Sequence, residues 1–172
     1  MRTLAVELAQ PKYSHIERER RWTVNGSALP DLDNCTSLLI EDRYIDGSRM
    51  RLRRMTDECS GEISLKLSKK YDAGSSDARP LVTAYLDAQE YELLLALPGA
   101  NLAKRRFHVP HEGREWSLDL FIDPHEGLAL LEIEAEEHEL QTLVPPPFAT
   151  KEITDDERYA CGSLVRSHQL PE

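Results

Sequence analysis

The sequence predicts a mainly β fold, in which antiparallel strands close into a barrel flanked by a few helices. The first observation is that several short segments alternate apolar and polar residues with the two-residue period of a half-buried strand. The second is that helical patterns are few, and the third is that most connections are short, which favours an antiparallel barrel or sandwich over a βαβ fold. The alternating segments are residues 16–24, 50–55, 63–68, 102–109, 116–123 and 130–135.

The clearest helix is predicted over residues 87–97. Asp87 can cap its first turn, and Glu90 can reach back to complete a capping box. The helix should end at Pro98-Gly99, because proline and glycine seldom continue a helix.

A second helix is predicted near the C-terminus, where Thr154 and Glu157 have the spacing of another capping box. We expect this helix and Tyr159 to pack as a cap at one end of the barrel. A shorter helical turn is expected over residues 136–143, and a surface loop over residues 70–78.

The chain length indicates a single domain, and the cysteine content indicates a protein of a reducing compartment. The 172 residues are predicted to form an N-terminal extension, 1–14, and a single domain, 15–172. Three cysteines at irregular spacing fit neither a disulfide framework nor a metal cluster, so we expect reduced thiols in the cytoplasm. No apolar run is long enough to cross a bilayer, so no membrane partner is expected.

The charges are acidic overall but locally basic. A net charge of -10 argues against a protein that coats nucleic acid, since such binding relies on surplus Lys and Arg. The basic residues are concentrated instead, with four arginines between positions 49 and 54 and three consecutive bases at 104–106. A site for a small polyanion can therefore exist within an acidic molecule.

Charged residues two apart recur along the predicted strands, mostly with one sign, and such residues share a face because strand residues two apart point to the same side. An ordinary half-solvated sheet is the alternative for any one strand, but a solvated face usually mixes signs to limit repulsion. Strand faces that carry neighbouring acidic residues suggest a site for a hard cation, Mg²⁺ or Mn²⁺, and faces that carry neighbouring basic residues suggest a site for a phosphate-rich anion. The same-face sets are Glu17, Glu19 and Arg21, then Arg49, Arg51 and Arg53, then Lys104 and Arg106, then Glu132 and Glu134.

These residues resemble the CYTH domains, or triphosphate tunnel metalloenzymes, of the short bacterial type. The family's first strand carries Glu-x-Glu-x-Lys, and residues 17–21 read Glu-Arg-Glu-Arg-Arg. Further motifs follow in the family's order over about residues 16–164. They are Tyr44, Arg51-Leu52-Arg53, Ser64-Leu65-Lys66, Lys104-Arg105-Arg106, Leu118-Asp119-Leu120-Phe121, Leu131-Glu132-Ile133-Glu134, and the tail from Pro145-Pro146-Pro147-Phe148 to Arg158-Tyr159.

The resemblance implies an eight-stranded antiparallel barrel whose tunnel binds a triphosphate-containing small molecule and hydrolyses it with Mg²⁺ or Mn²⁺. The residues carried over as metal ligands are Glu17, Glu19, Asp119, Glu132 and Glu134. Those carried over as phosphate ligands are Arg21, Arg51, Arg53, Lys66 and Arg106. Lys104 and Tyr44 are implied as catalytic, with either a neutral Lys104 of lowered pKa or a second metal ion activating the water.

Two positions depart from the family pattern. Arg21 replaces the family's lysine, which keeps the charge but offers a planar fork in place of a compact ammonium. Leu81 and Thr83 stand where short members often carry glutamates, so the acidic count at the site is expected to be lower.

Several activities remain open from sequence. Inorganic tripolyphosphate is the first choice of substrate, because no nucleobase platform is evident. Adenylate cyclase activity, thiamine triphosphatase activity and a non-catalytic polyphosphate-binding module are the alternatives, and a homodimer is left open as the assembly.

Overall fold

Within the residues that the structure describes, nine strands pair antiparallel, and eight of them close into a barrel, as predicted. The computed structural model describes residues 13–71, 78–167 and 169–171, so the 1–14 extension and the centre of the 70–78 loop lie mostly outside the described residues. The strands are β1 (His15–Val24), β2 (Ser37–Ile45), β3 (Met50–Asp57), β4 (Ile63–Lys70), β5 (Ala78–Tyr85), β6 (Gly99–His111), β7 (Arg114–Asp123), β8 (Ala129–Glu134) and β9 (Ala149–Glu152).

The strand order explains the closure. It runs β5-β4-β3-β2-β6-β7-β8-β1, and β1 pairs again with β5, so the sheet returns to its own edge. Of the strands in the described residues, β9 alone stands outside the ring, paired along the second half of β1. Closing a sheet in this way removes exposed edges and creates a distinct interior.

Alternation predicted six of the nine strands and missed β2, β5 and β9. β2 has no two-residue period, since Leu38-Leu39-Ile40 is followed by Glu41-Asp42-Arg43, and both faces of the strand are partly buried. Only the family resemblance pointed to β2, through Tyr44, and to β5, through residues 79–83.

In the part of the chain that the structure describes, three short α-helices connect or follow the strands: α1 (Ala88–Leu95), α2 (Glu137–Leu140) and α3 (Cys161–Leu164). The capping box of α1 is confirmed: the Glu90 amide donates to Asp87 Oδ1 at 2.8 Å, and the Asp87 amide donates to Glu90 Oε2 at 2.9 Å.

The predicted capping box at Thr154 is wrong. The Thr154 hydroxyl donates to Glu152 at 2.8 Å and accepts from the Arg21 amide at 3.0 Å, so it joins the C-terminal segment to β1. Asp156 instead caps a short 3₁₀ turn, Glu157–Tyr159, and α3 follows it. The long-range bond to β1 uses the side chain that a local cap would have needed.

Two apolar clusters stabilise the barrel, one along its wall and the other at one end. One cluster lies on the outer face of β1, β6, β7 and β8 and centres on Trp22 and Trp116. The two indole rings pack edge to face, with their centroids 5.5 Å apart. A second cluster places Tyr159 and Leu164 of the C-terminal segment against Leu102 and Phe121. The predicted cap at one end of the barrel is therefore confirmed.

Candidate active site inside the barrel

Strand pairing turns the same-face charge sets toward one interior. Residues directly opposite each other in an antiparallel pair share a face, so each charged residue brings its partner to the same side. The pairs on this face are Glu17 with Arg79, Glu19 with Glu134, Arg21 with Glu132, Asp42 with Arg53, Tyr44 with Arg51, and Arg106 with Asp119.

These faces surround a cavity of about 330 Å³, near the lower end of the range for small-molecule sites. Among the described residues that line it, nine are Lys or Arg and four are Glu. The cavity is therefore basic inside a chain of net charge -10. The basic residues are Arg21, Arg49, Arg51, Arg53, Lys70, Arg79, Lys104, Arg106 and Arg166, and the acidic ones are Glu17, Glu19, Glu132 and Glu157.

Nine of the twelve site residues expected from sequence line this cavity, and Lys66, Asp119 and Glu134 do not. Lys66 lies beside Arg53 in register, but its ammonium is 5.0 Å from the centre of the Tyr85 ring. Glu134 is exposed, with Oε1 3.1 Å from His15 Nε2. The nine that line it are Glu17, Glu19, Arg21, Tyr44, Arg51, Arg53, Lys104, Arg106 and Glu132.

Asp119 lies behind the cavity wall and holds two of its cations. It is 2% exposed and accepts hydrogen bonds from Lys104 Nζ and, at 2.7 Å each, from Arg106 Nε and Nη2. Burial acts to raise the pKa of Asp119, but Arg106 and Lys104 outweigh it and hold that pKa below its ordinary value. Arg106 also donates to Glu132. Asp119 therefore positions Lys104 and Arg106.

Asp42 holds arginines of β3 in the way that Asp119 holds Lys104 and Arg106, and sequence reasoning missed it. This 3%-exposed carboxylate accepts from Arg53 Nε and Nη2 at 2.7 Å each, and Arg51 Nε lies 3.9 Å away. Burial acts to raise the pKa of Asp42, but the two arginines lower it overall. Asp42 stands in the charged run Glu41-Asp42-Arg43, so only the pairing of β2 with β3 could have singled it out.

Lys104 and Tyr44 both border the cavity, and each has its own neighbour there. The Cys161 Sγ lies 3.7 Å from Lys104 Nζ, and the Tyr44 hydroxyl lies against the Arg51 guanidinium. One of the two alternatives for activating water requires a lowered pKa at Lys104; burial acts in that direction, but Asp119 outweighs it and raises the pKa of Lys104. Withdrawal from water raises the pKa of Tyr44 well above its ordinary value.

The acidic residues are held apart by cations of the protein. Glu17 bonds to Lys70, and Glu132 bonds to Arg106. Burial and the nearby charges of Glu132 and Glu17 raise the pKa of Glu19 above its ordinary value. Within residues 13–71, 78–167 and 169–171, no three Asp, Glu, His or Cys side chains converge into a metal site.

Comparison with known proteins places this arrangement in a family. An inorganic triphosphatase of Acetivibrio thermocellus is 33% identical over 165 residues, covering 88% of this chain and 94% of that protein. The chain belongs to the CYTH, or triphosphate tunnel metalloenzyme, family. No family model matches it.

Solved structures agree with the CYTH fold. The inorganic triphosphatase NE1496 is 25% identical, with a TM-score of 0.58 over 88% of this chain and 95% of that one. The PH1819 protein from Pyrococcus horikoshii shares the fold at 19% identity, with a TM-score of 0.51 over 73% of this chain and 82% of that one.

The donor chemistry fits the divalent metal that the CYTH family implies. Glu17, Glu19 and Glu132 border one cavity and offer the carboxylate oxygens that Mg²⁺ and Mn²⁺ prefer. Burial, with the nearby charges of Glu132 and Glu17, raises the pKa of Glu19, and a divalent cation would stabilise its charged form.

The two departures from the CYTH pattern also face the interior. Leu81 pairs with Lys70 and Thr83 pairs with Ser68, whose hydroxyl is 3.1 Å from that of Thr83. Neither side chain supplies a carboxylate. Arg21, in place of the family's lysine, is buried, and its guanidinium donates to the carbonyls of Tyr159 and Thr154 at 3.4 and 3.2 Å.

Sequence reasoning also missed the part of the cavity wall that the chain end supplies. Glu157, Cys161 and Arg166 line the cavity from the C-terminal segment, and Glu157 accepts from Arg79 of β5. These residues have no strand periodicity, so no pattern indicated that they reach the tunnel. In the described residues, no helix is long and apolar enough to span a membrane.

Proposed function

We propose that this chain hydrolyses inorganic tripolyphosphate inside the barrel, adding water across one P–O–P link to give pyrophosphate and phosphate. The observation that carries the proposal is the cavity of about 330 Å³ with nine Lys or Arg against four Glu among the described residues. A compact polyanion matches both this size and this charge.

The names of the relatives support the same reaction. Two of them, at 33% and 25% identity, are inorganic triphosphatases. The two tyrosines at the cavity are already engaged: Tyr44 with Arg51, and Tyr71 with Lys69, whose ammonium is 4.9 Å from the ring centre. This favours a substrate without a nucleobase over ATP.

The arginines bind the phosphate oxygens in this proposal. Arg51 and Arg53 reach the cavity from β3, Arg106 from β6 and Arg21 from β1. Arg53 and Arg106 are held in place by bidentate bonds to Asp42 and Asp119 before any ligand arrives. Donors fixed in advance stabilise developing charge on a phosphoryl group without a reorganisation cost.

Glu17, Glu19 and Glu132 hold Mg²⁺ or Mn²⁺ in this proposal. The metal supplies charge neutralisation on the phosphoryl oxygens and a means of activating water. Lys66 as a phosphate ligand, and Glu134 and Asp119 as metal ligands, stay predictions from sequence.

We assign Lys104 the role of a charged phosphate ligand. Its bond to Asp119 stabilises the ammonium, and a protonated lysine cannot accept a proton from water. Tyr44 borders the same space, beside the Arg51 guanidinium.

The cytoplasm is the proposed cellular location. Cys35, Cys59 and Cys161 are all unpaired, which supports the reducing cytoplasm as the compartment. Dimerisation stays a prediction.

A substrate panel tests the proposal. Phosphate release is measured from tripolyphosphate, ATP and thiamine triphosphate with Mg²⁺ or Mn²⁺, together with cyclic AMP formation from ATP. We expect the highest kcat/KM for tripolyphosphate and no turnover in EDTA. Faster cyclisation of ATP would indicate a cyclase, and tight tripolyphosphate binding without turnover would indicate a binding module.

A further inference from the structure

Lys70 ends β4 with its side chain among the carboxylates that the proposed function assigns to the metal. Its ammonium bonds to Glu17 Oε2 and lies 3.9 Å from Glu19 Oε1. The two carboxylate side chains are only 18% and 20% exposed, so water screens these contacts weakly.

This lysine neutralises only part of the acidic cluster. Glu17 accepts the direct bond from Lys70, whereas Glu19 Oε1 lies 3.9 Å from the same ammonium. Glu132, the third carboxylate that borders the cavity, bonds to Arg106. One ammonium therefore occupies a place where three carboxylates border the cavity.

We propose that Lys70 is a built-in competitor of the divalent cation at Glu17 and Glu19, which the metal must displace in order to bind. The inference rests on the proposed function, since that function makes these glutamates metal ligands. An ammonium and a divalent ion repel each other, and a carboxylate oxygen that accepts from an ammonium is less available to coordinate a metal.

The displacement has a second consequence at the same site. Lys70 lines the cavity, so an ammonium released from Glu17 stays beside the space where phosphate would bind. Metal binding and phosphate binding then favour each other through Lys70, as linkage requires when one event prepares the other. Lys70 thus sets the metal affinity and couples it to substrate.

The experiment measures Mn²⁺ binding without substrate, by electron paramagnetic resonance of the uncomplexed ion. Lys70→Met keeps the length of the side chain and removes its charge, and we expect it to bind Mn²⁺ about 5- to 10-fold more tightly than the wild type. Lys69→Met is the matched control: it removes the same charge one residue away, from a lysine that contacts Tyr71 and not the glutamates.

Three results would overturn the proposal. Equal affinity in Lys70→Met and wild type would show that no competition exists. Equal tightening in both variants would show that only net charge matters, and weaker binding in Lys70→Met would make Lys70 a support of the site. Lys70→Gln repeats the comparison if the methionine variant unfolds at a lower temperature.

Failure of this inference differs from failure of the proposed function. Wild-type protein that hydrolyses tripolyphosphate while the variants bind Mn²⁺ equally well would reject only the role of Lys70. Wild-type protein that hydrolyses no tripolyphosphate would reject the function, while tighter Mn²⁺ binding by Lys70→Met alone would still support the competition.

Discussion

Asp119→Asn tests how much the barrel depends on the buried carboxylate that holds two cavity cations. The substitution keeps the size of the side chain and removes its negative charge. Lys104 and Arg106 then lose the counter-charge to which both donate. Glu132 remains as a partner for Arg106 but does not replace Asp119 at Lys104.

The cost follows from the burial of the group. Asp119 and Lys104 are each 2% exposed, and removing one partner of a buried ion pair costs about 3–5 kcal/mol. The cavity beside Lys104 admits water, so we expect the lower end, about 3 kcal/mol. For a chain of this size each kcal/mol lowers the melting temperature by about 2–4 °C, which predicts a decrease of roughly 6–12 °C.

The pH dependence has a definite sign. The pKa of Asp119 is below its ordinary value in the folded protein, so its stabilising contribution is complete above the unfolded pKa of about 4 and is lost as pH falls toward the folded pKa. The pKa of Lys104 is raised, so its contribution is complete below about pH 10 and is lost as pH rises through the folded pKa. The difference between variant and wild type should therefore be largest near neutral pH and shrink below pH 4.

The assay is thermal unfolding by circular dichroism across pH, without ligand. Asp46→Asn is the control, because Asp46 is exposed and its pair with Arg166, at 3.8 Å, should contribute less than about 1 kcal/mol. Tripolyphosphate should stabilise Asp119→Asn more than wild type, since it replaces the missing negative charge. A decrease in melting temperature no larger than that of Asp46→Asn would refute the reasoning.

Three further predictions address the site. Lys104→Arg should retain most of the turnover at saturating tripolyphosphate if Lys104 is a charged ligand, whereas a loss of about 10²-fold with a changed pH-rate profile would identify it as the base. Glu19→Gln should raise the melting temperature of metal-free protein, because the raised pKa of Glu19 means that its charge destabilises the fold near neutrality. The same variant should reduce the stabilisation by Mn²⁺, whereas Glu134→Gln, at an exposed position, should keep it. Loss of Mn²⁺ stabilisation in Glu134→Gln and not in Glu19→Gln would exchange the two assignments. Arg51→Ala should weaken binding of tripolyphosphate more than binding of orthophosphate, measured by calorimetry, and equal losses would restrict Arg51 to a single phosphate pocket.

Alternation in the sequence could predict which face of each strand enters the tunnel, because the side-chain period of a strand is two. Alternation could not predict which charged residues lie next to each other on neighbouring strands, since that depends on strand pairing and on the stagger of a closed barrel. Asp42 shows the gap: its role follows only from its register with Arg53, which no local pattern contains.

The C-terminal segment shows a second limit. Thr154 and Glu157 have the spacing of a helix cap, but Thr154 bonds to β1 and Glu157 bonds to Arg79 of β5. Long-range contacts therefore overrode a local signal. The same segment brings Cys161 next to Lys104, a contact between residues 57 positions apart.

The measurement that tests the central claim most directly compares tripolyphosphate turnover by two neighbouring arginine variants. Arg53 lines the cavity and is bonded to Asp42, whereas Arg54 lies on the opposite face of β3, with Nη1 3.6 Å from Glu41. Replacing either by Met removes the same charge, so long-range electrostatics change equally. If the tunnel is the site of hydrolysis, Arg53→Met should lower kcat/KM by about 10²-fold or more, and Arg54→Met should leave it within about twofold of wild type. Equal kcat/KM values for the two variants would contradict the assignment of the reaction to the interior of the barrel.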